Sequence, residues 1–402
     1  MTLSRKEERA RQKGAVRLEE LDSLRGLAAL CVVFYHFKLL LNEDALTGMA
    51  SILYRGPLRL FTAGHEAVIL FFILSGFVLS IPAIRAKAQA YPVFVTRRIF
   101  RIYFPYIVAL ALAVSGAATL HTNIPGNAWF HRTWSHPVEW HLVLAHGLFI
   151  GQYDTAEFNT AFWSIVVEMR ISLVFPALCA FALWLKPAKS LGFAMALSLG
   201  SYLLLHGVPQ RHFILAGTTH YAGMFVVGIY LARQQRQMSQ LYTSFSRPAK
   251  IAAAILCVIL FVYSGHFFHA LMLKRGGTSF ILQSDWLTSL GGAGLILFSL
   301  NSESCRRVLL LRPVRFLGQL SYSMYLLHGT VLFALVHLLC GHLTLIAILP
   351  LYLATVMVSS AIFYRLIERP SMEWGRRISG RLPQFKADAL HGLLGPAGVV
   401  SE

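Results

Sequence analysis

Long apolar runs, separated by short charged segments, occupy nearly the whole chain. With approximate edges they lie at 24–41, 63–82, 103–120, 159–183, 191–207, 218–232, 250–270, 285–300, 316–340 and 343–364. About 20 apolar residues in helical form cross a hydrocarbon core roughly 30 Å thick. The pattern therefore predicts an all-α polytopic membrane bundle of about ten transmembrane helices, because only helices or closed barrels satisfy their own backbone in lipid. Residues 1–20 are polar and helix-prone, without the charged–apolar–cleavage order of a signal peptide, and read as a cytoplasmic N-terminal extension. Residues 21–370 form the transmembrane domain. The polar segment 371–402, punctuated by Gly and Pro, reads as a cytoplasmic tail. No internal repeat and no second soluble domain are evident.

Composition agrees: 56% hydrophobic, 13% charged, mean hydropathy +0.59. A net charge of +18 would suit nucleic acid, but its distribution points elsewhere. With the N-terminus inside, the inner segments hold 28 of the 36 basic residues and the outer loops six; Lys38 and Arg170 lie near or within spans. That bias fits ten spans with both termini cytoplasmic and the lipid bilayer, not nucleic acid, as the partner. The expected location is the cell's inner (plasma) membrane. The five cysteines have neither disulfide nor zinc spacing, so no metal is expected.

Several polar groups sit where lipid should forbid them. His36 follows Arg25 by eleven residues in LDSLRGLAALCVVFYHF, about 16 Å along a helix. Counting inward from Asn159, Glu168 of FWSIVVEMR lies about 13 Å deep, and from Phe316, His328 of LSYSMYLLHG about 18 Å deep. Ionisable groups at such depth face cavities or one another, so the three are expected to share a site near the midplane, with Glu168 within hydrogen-bond reach of an imidazole. The alternatives are a neutral His bonding helices together and Glu168 pairing with Arg170 or another cation.

Arg97, Arg98 and Arg101 of YPVFVTRRIFRIYFPY cluster at the inner mouth of the third span. Guanidinium forks hold phosphates; plain positive-inside anchoring is the other reading. Ser75 and Gly76 of FFILSGFVLS let a backbone or a thin ligand approach closely. The outer loop 121–158 includes an apolar stretch, 140–151, too short to cross. Its histidines at 131, 136, 141 and 146 recur every five residues and share no helix face. No His is followed five positions later by Asp, so the soluble-type glycerolipid acyltransferase signature is missing.

LDSLRGLAALCVVFYHF, FFILSGFVLS, RRIFRIYFPY, FWSIVVEMRIS, LGQLSYSMYLLHG and YRLIERP, in this order from residue 21 to 370, resemble the acyltransferase-3 family of membrane acyltransferases. The resemblance implies a ten-helix bundle moving an acyl group, often acetyl, from cytoplasmic acyl-CoA to a sugar hydroxyl of a surface or secreted glycan or glycolipid. Acyl-CoA is then a co-substrate, and no cofactor is implied. The family's arginine–histidine pair maps onto Arg25 and His36, its arginine motif onto Arg97, Arg98 and Arg101 as donor-binding residues, and its Trp-Ser…Glu motif onto Trp163, Ser164 and Glu168. His36 with Glu168 is the expected catalytic pair. Ser75, Tyr325 and His328, in the stretches that carry the resemblance, are expected to support it.

The physical reading is compatible. A neutral imidazole can deprotonate an attacking hydroxyl while an acid holds its tautomer, and a covalent acyl-histidine is a second route. A proton-coupled transporter using His36, Glu168 and His328 is the competing function, and a catalytically dead scaffold a third.

Overall fold

The computed structural model describes residues 18–41, 56–120, 129–134, 136–149, 154, 156–207, 213–271 and 278–383. Thirteen helices and no strand are found among them: α1 Glu19–Leu39, α2 Gly64–Ile84, α3 Tyr91–Leu120, α4 Trp140–Leu148, α5 Phe162–Trp184, α6 Pro187–Gly207, α7 Phe213–Arg233, α8 Gln235–Ser244, α9 Arg247–Leu271, α10 Thr278–Asn301, α11 Glu303–Leu309, α12 Arg312–Leu339 and α13 Leu345–Ser379. Each expected apolar run falls on a long helix. Seven helices, α2, α3, α5, α7, α9, α12 and α13, are long and apolar enough to cross a membrane. The acids Glu19, Glu20 and Asp22, with Arg25 and Lys38, dilute the apolar character of α1. The helix α4, between α3 and α5, has nine residues and is too short to span.

Local signals set several boundaries. Thr344 caps α13, its hydroxyl accepting from Ala347 N–H, and Ser302 caps α11 through Cys305 N–H. Proline stands in the first turn of α12, where a missing N–H costs nothing. Long-range packing then sorts the helices. α12 lies along α1, and α7 packs between α2 and α6. A Cβ on Gly26 would strike the Gly318 backbone, and one on Gly76 or Gly228 would strike the partner helix's backbone, so both seams need bare backbone. Gly76 is thus a packing residue.

Two π turns lie at the basic end of the bundle, Ile99–Tyr103 in α3 and Tyr364–Glu368 in α13. Each precedes a proline by two residues, Pro105 and Pro370. The wider turn lets the helix continue across a residue that cannot donate: Phe104 N–H reaches Ile99 O and Arg369 N–H reaches Tyr364 O, five residues back. Carbonyls exposed in the first turn are taken by hydroxyls, Phe100 O by Ser371 and Ile102 O by Tyr322 at 2.7 Å. The domain edge expected at residue 370 therefore falls inside α13, which runs to Ser379.

Candidate active site

α1 and α12 run in parallel. Gly26 meets Gly318, and ten residues further along each helix His36 meets His328, with His328 Nε2 3.2 Å from His36 Nδ1. The imidazole of His328 is fully buried and that of His36 nearly so. Hydrogen bonding assigns their protons. His328 Nδ1 lies 3.1 Å from Met324 O, a pure acceptor, so this nitrogen carries hydrogen and Nε2 is left as an acceptor. His36 Nδ1 faces that Nε2 and Val32 O at 3.0 Å, so it also carries hydrogen. In the neutral pair His36 Nε2 then holds the free lone pair. Trp129, from the segment between α3 and α4, lies against His36 with its ring 5.9 Å away and stacks on Phe333.

One turn below His328, the Tyr325 ring lies 5.7 Å from the imidazole. Its hydroxyl is 2.6 Å from Ser164 Oγ, and both hydroxyls approach Ala161 O. Tyr325 and Ser164 form the inner end of a cavity of about 830 Å³ whose lining extends to the arginines of the basic end. The histidines do not line it; Tyr325 stands between.

Arg25, Ser75, Arg97, Arg98, Arg101 and Glu168 all line this cavity. They divide by partner. Arg98 is buried, gives Nη2–H to Glu168 Oε1 at 2.8 Å, and binds Ser172 Oγ through Nε and Nη2. Ser75 Oγ donates to the same Glu168 oxygen at 3.2 Å. Arg97 and Arg101 are exposed toward the mouth, Arg97 Nε donating to Ser379 Oγ and Arg101 resting on Met372 Sδ. No carboxylate pairs with Arg25 among the described residues, although Arg101, Arg98, Asp22 and Glu168 lie near enough to act on it.

The expected Glu168–imidazole hydrogen bond is not formed. Glu168 is held by Arg98 and Ser75. The cause lies in where α5 begins. The depth count from Asn159 requires a helix start at the bundle surface, but Asn159 is fully buried, giving Nδ2–H to Leu326 O and Thr330 Oγ1. The helix thus starts level with His328, and Glu168, nine residues on, lies about 13 Å nearer the basic end. Arg170 is not its cation; that side chain donates to Phe149 O at 2.6 Å. Trp163, next to Ser164, packs away from the cavity on Tyr221 and Phe72.

A second polar cluster was not recognised from sequence. Asp285 is fully buried in α10 and accepts from His65 Nε2 at 2.7 Å and His220 Nε2 at 3.2 Å. Ser198 Oγ lies 2.9 Å from His220 Nδ1 and accepts from Trp286 Nε1. The signal was an acid flanked by apolar sequence at the edge of a span. Asn159 and Trp129 carried no comparable signal. Among the described residues no group of three or more His, Cys, Asp or Glu side chains is arranged to hold a metal.

The acyltransferase-3 family model, an acyltransferase domain, matches residues 18–365. The chain belongs to that family and is a multi-pass membrane acyltransferase, which decides against the transporter reading. Neither the curated proteins nor the solved structures provided a match.

Proposed function

We propose that this acyltransferase moves an acyl group, acetyl in the simplest case, from cytoplasmic acyl-CoA to a sugar hydroxyl of a surface or secreted glycan or glycolipid, working in the inner (plasma) membrane. The observation that carries the reading is one continuous arrangement. The 830 Å³ cavity runs from exposed guanidiniums at its mouth to the Tyr325–Ser164 hydroxyl pair, and Tyr325 packs on His328, the neighbour of His36. A phosphate-bearing donor suits the mouth, and its narrow thioester arm suits the inner end.

The hydroxyl acceptor approaches from the opposite end of the bundle. With the Tyr325 side chain turned aside to join the cavity to the imidazoles, His36 Nε2 takes the acceptor's proton as the oxygen attacks the thioester carbonyl. Tyr325 and Ser164 can turn a hydrogen toward the developing oxyanion. Collapse of the tetrahedral centre breaks the carbon–sulfur bond, and His36 passes the proton to the departing sulfur. Acyl ends on oxygen and the proton on thiol, so acyl-CoA is the one co-substrate needed. His328, anchored by Met324 O, holds the His36 tautomer, the role first given to Glu168. Glu168 instead fixes Arg98 and Ser75 in the cavity wall.

Mass spectrometry of surface glycans from cells with and without the gene tests this. Loss of an ester-linked acyl group, restored by the wild-type gene and not by His36→Ala, is the expected result. Unchanged glycans, together with no acceptor-dependent thiol release from acyl-CoA by the purified protein, would overturn it.

A further inference from the structure

The family match ends at residue 365, yet the chain beyond it builds part of the cavity wall. Residues Arg369–Ser379 bury Ser371, Gly375 and Ser379, three small residues at four-residue spacing on one helix face. That face docks on the arginine motif. Ser371 donates to Phe100 O, a Cβ on Gly375 would strike Phe100 Cβ, and Ser379 Oγ accepts from Arg97 Nε at 3.0 Å while donating to Arg376 O at 3.1 Å. Arg101 meets Met372 while Arg97 meets Ser379, so the two segments run antiparallel. Arg97 therefore stands nearest the mouth, Arg101 lies one turn, about 6 Å, deeper, and Arg376, between Met372 and Ser379 on its helix, lines the wall between those levels.

Charge bookkeeping separates the cavity's guanidiniums. Arg98 is taken by Glu168 and Arg369 by Glu373 at 3.0 Å. Among the described residues, no carboxylate pairs with Arg25, Arg97, Arg101 or Arg376. Four cations without an ion-pair partner suit a polyanion, even with Asp22 and Glu168 acting on Arg25 and Glu368 near Arg101, and the separate levels of Arg97 and Arg101 suit charges spaced along its length. Acyl-CoA has that form: a pyrophosphate between arm and adenosine, and a separate phosphate on the ribose 3′ oxygen at the far end.

We propose that Arg376, with Arg97, reads the ribose 3′-phosphate of the donor, while Arg101 and Arg25 hold the pyrophosphate. The inference rests on the acyl-CoA reading above and assigns a specificity residue outside the matched family region. Lys at 376 would keep the charge and lose the two-pronged contact.

The test is steady-state kinetics in nanodiscs of zwitterionic lipid, comparing acyl-CoA with acyl-3′-dephospho-CoA. Wild type should show a KM about tenfold higher for the dephospho donor with kcat little changed, the order expected for one charge-assisted contact. Arg376→Gln should raise KM for acyl-CoA about tenfold and leave the dephospho KM in place, so the discrimination collapses. Arg376→Lys should recover part of it, and Arg101→Gln should raise both KM values together. Wild-type discrimination in a folded Arg376→Gln protein overturns the inference and leaves the acyl-CoA reading standing. No wild-type turnover with either donor overturns both. Should Arg376→Gln not fold, competition against wild type decides: adenosine 3′,5′-bisphosphate should inhibit about tenfold more tightly than adenosine 5′-phosphate, and equal inhibition refutes the proposal.

Discussion

His328 Nε2 stands 3.2 Å from His36 Nδ1, and the carbonyl of Met324 stands behind it. A carbonyl can only accept, so the order of protons along this line is set and the His36 Nε2 lone pair is left free. In the proposed mechanism a backbone carbonyl and a second imidazole take the place that a carboxylate holds in a serine-hydrolase triad.

Replacing His36 by Ala should lower turnover by about 10²–10⁴-fold, the usual worth of a positioned general base. Donor binding should change little, because His36 does not line the donor cavity. Acceptor-dependent thiol release and donor affinity, measured on the same purified protein, check both halves. Near-normal turnover would reduce His36 to a hydrogen-bond donor between helices.

Substitution at His328 should lower kcat and leave both KM values nearly unchanged, since it acts through His36. His328→Gln can still offer an acceptor near the Nε2 position, whereas His328→Leu cannot. The Gln variant should therefore retain about tenfold more activity than Leu, the order of one buried hydrogen bond. Equal loss in both variants would mean that packing, not tautomer control, is what the imidazole supplies.

Glu168→Gln leaves Arg98 without its counter-ion in the cavity wall. Breaking a buried pair costs about 3–5 kcal/mol. Glu168 is 19% exposed, so solvent screening reduces the expectation to about 1–3 kcal/mol. Arg98→Met in the same chain should recover part of the loss. Thermal unfolding of the two single variants and the double variant measures the coupling, and additive effects would show that the pair contributes nothing as a pair.

Gly318→Val should destabilise the bundle by about 3 kcal/mol or more, because the new side chain meets the backbone of Asp22 and Ser23 with no flexible atom able to yield. Activity should fall with it, since parting α1 from α12 parts His36 from His328. Folded yield after detergent extraction and residual turnover per folded molecule check the two effects separately.

Much of this protein was readable along the chain because lipid imposes a one-dimensional rule. A spanning segment must be helical and apolar, so the ten apolar runs, the basic segments between them and the few polar exceptions could be found by position alone. The pairing of His36 with His328 was also present in the sequence, as a Gly and a His ten residues apart in both LRGLAALCVVFYHF and FLGQLSYSMYLLHG. That equal spacing gains meaning only once the two helices are known to be parallel and in contact. The tertiary structure alone decided three things. It set the level of α5, whose first turn begins inside the bundle at Asn159 and so carries Glu168 past the histidines to Arg98. It turned one member of the arginine motif inward and two toward the mouth. It laid Arg369–Ser379 over that motif. The physical reason is common to all three. Helix rise gives depth relative to a helix's own start, whereas the offset and rotation of one helix against another come from which side chains and backbones fit together across the seam.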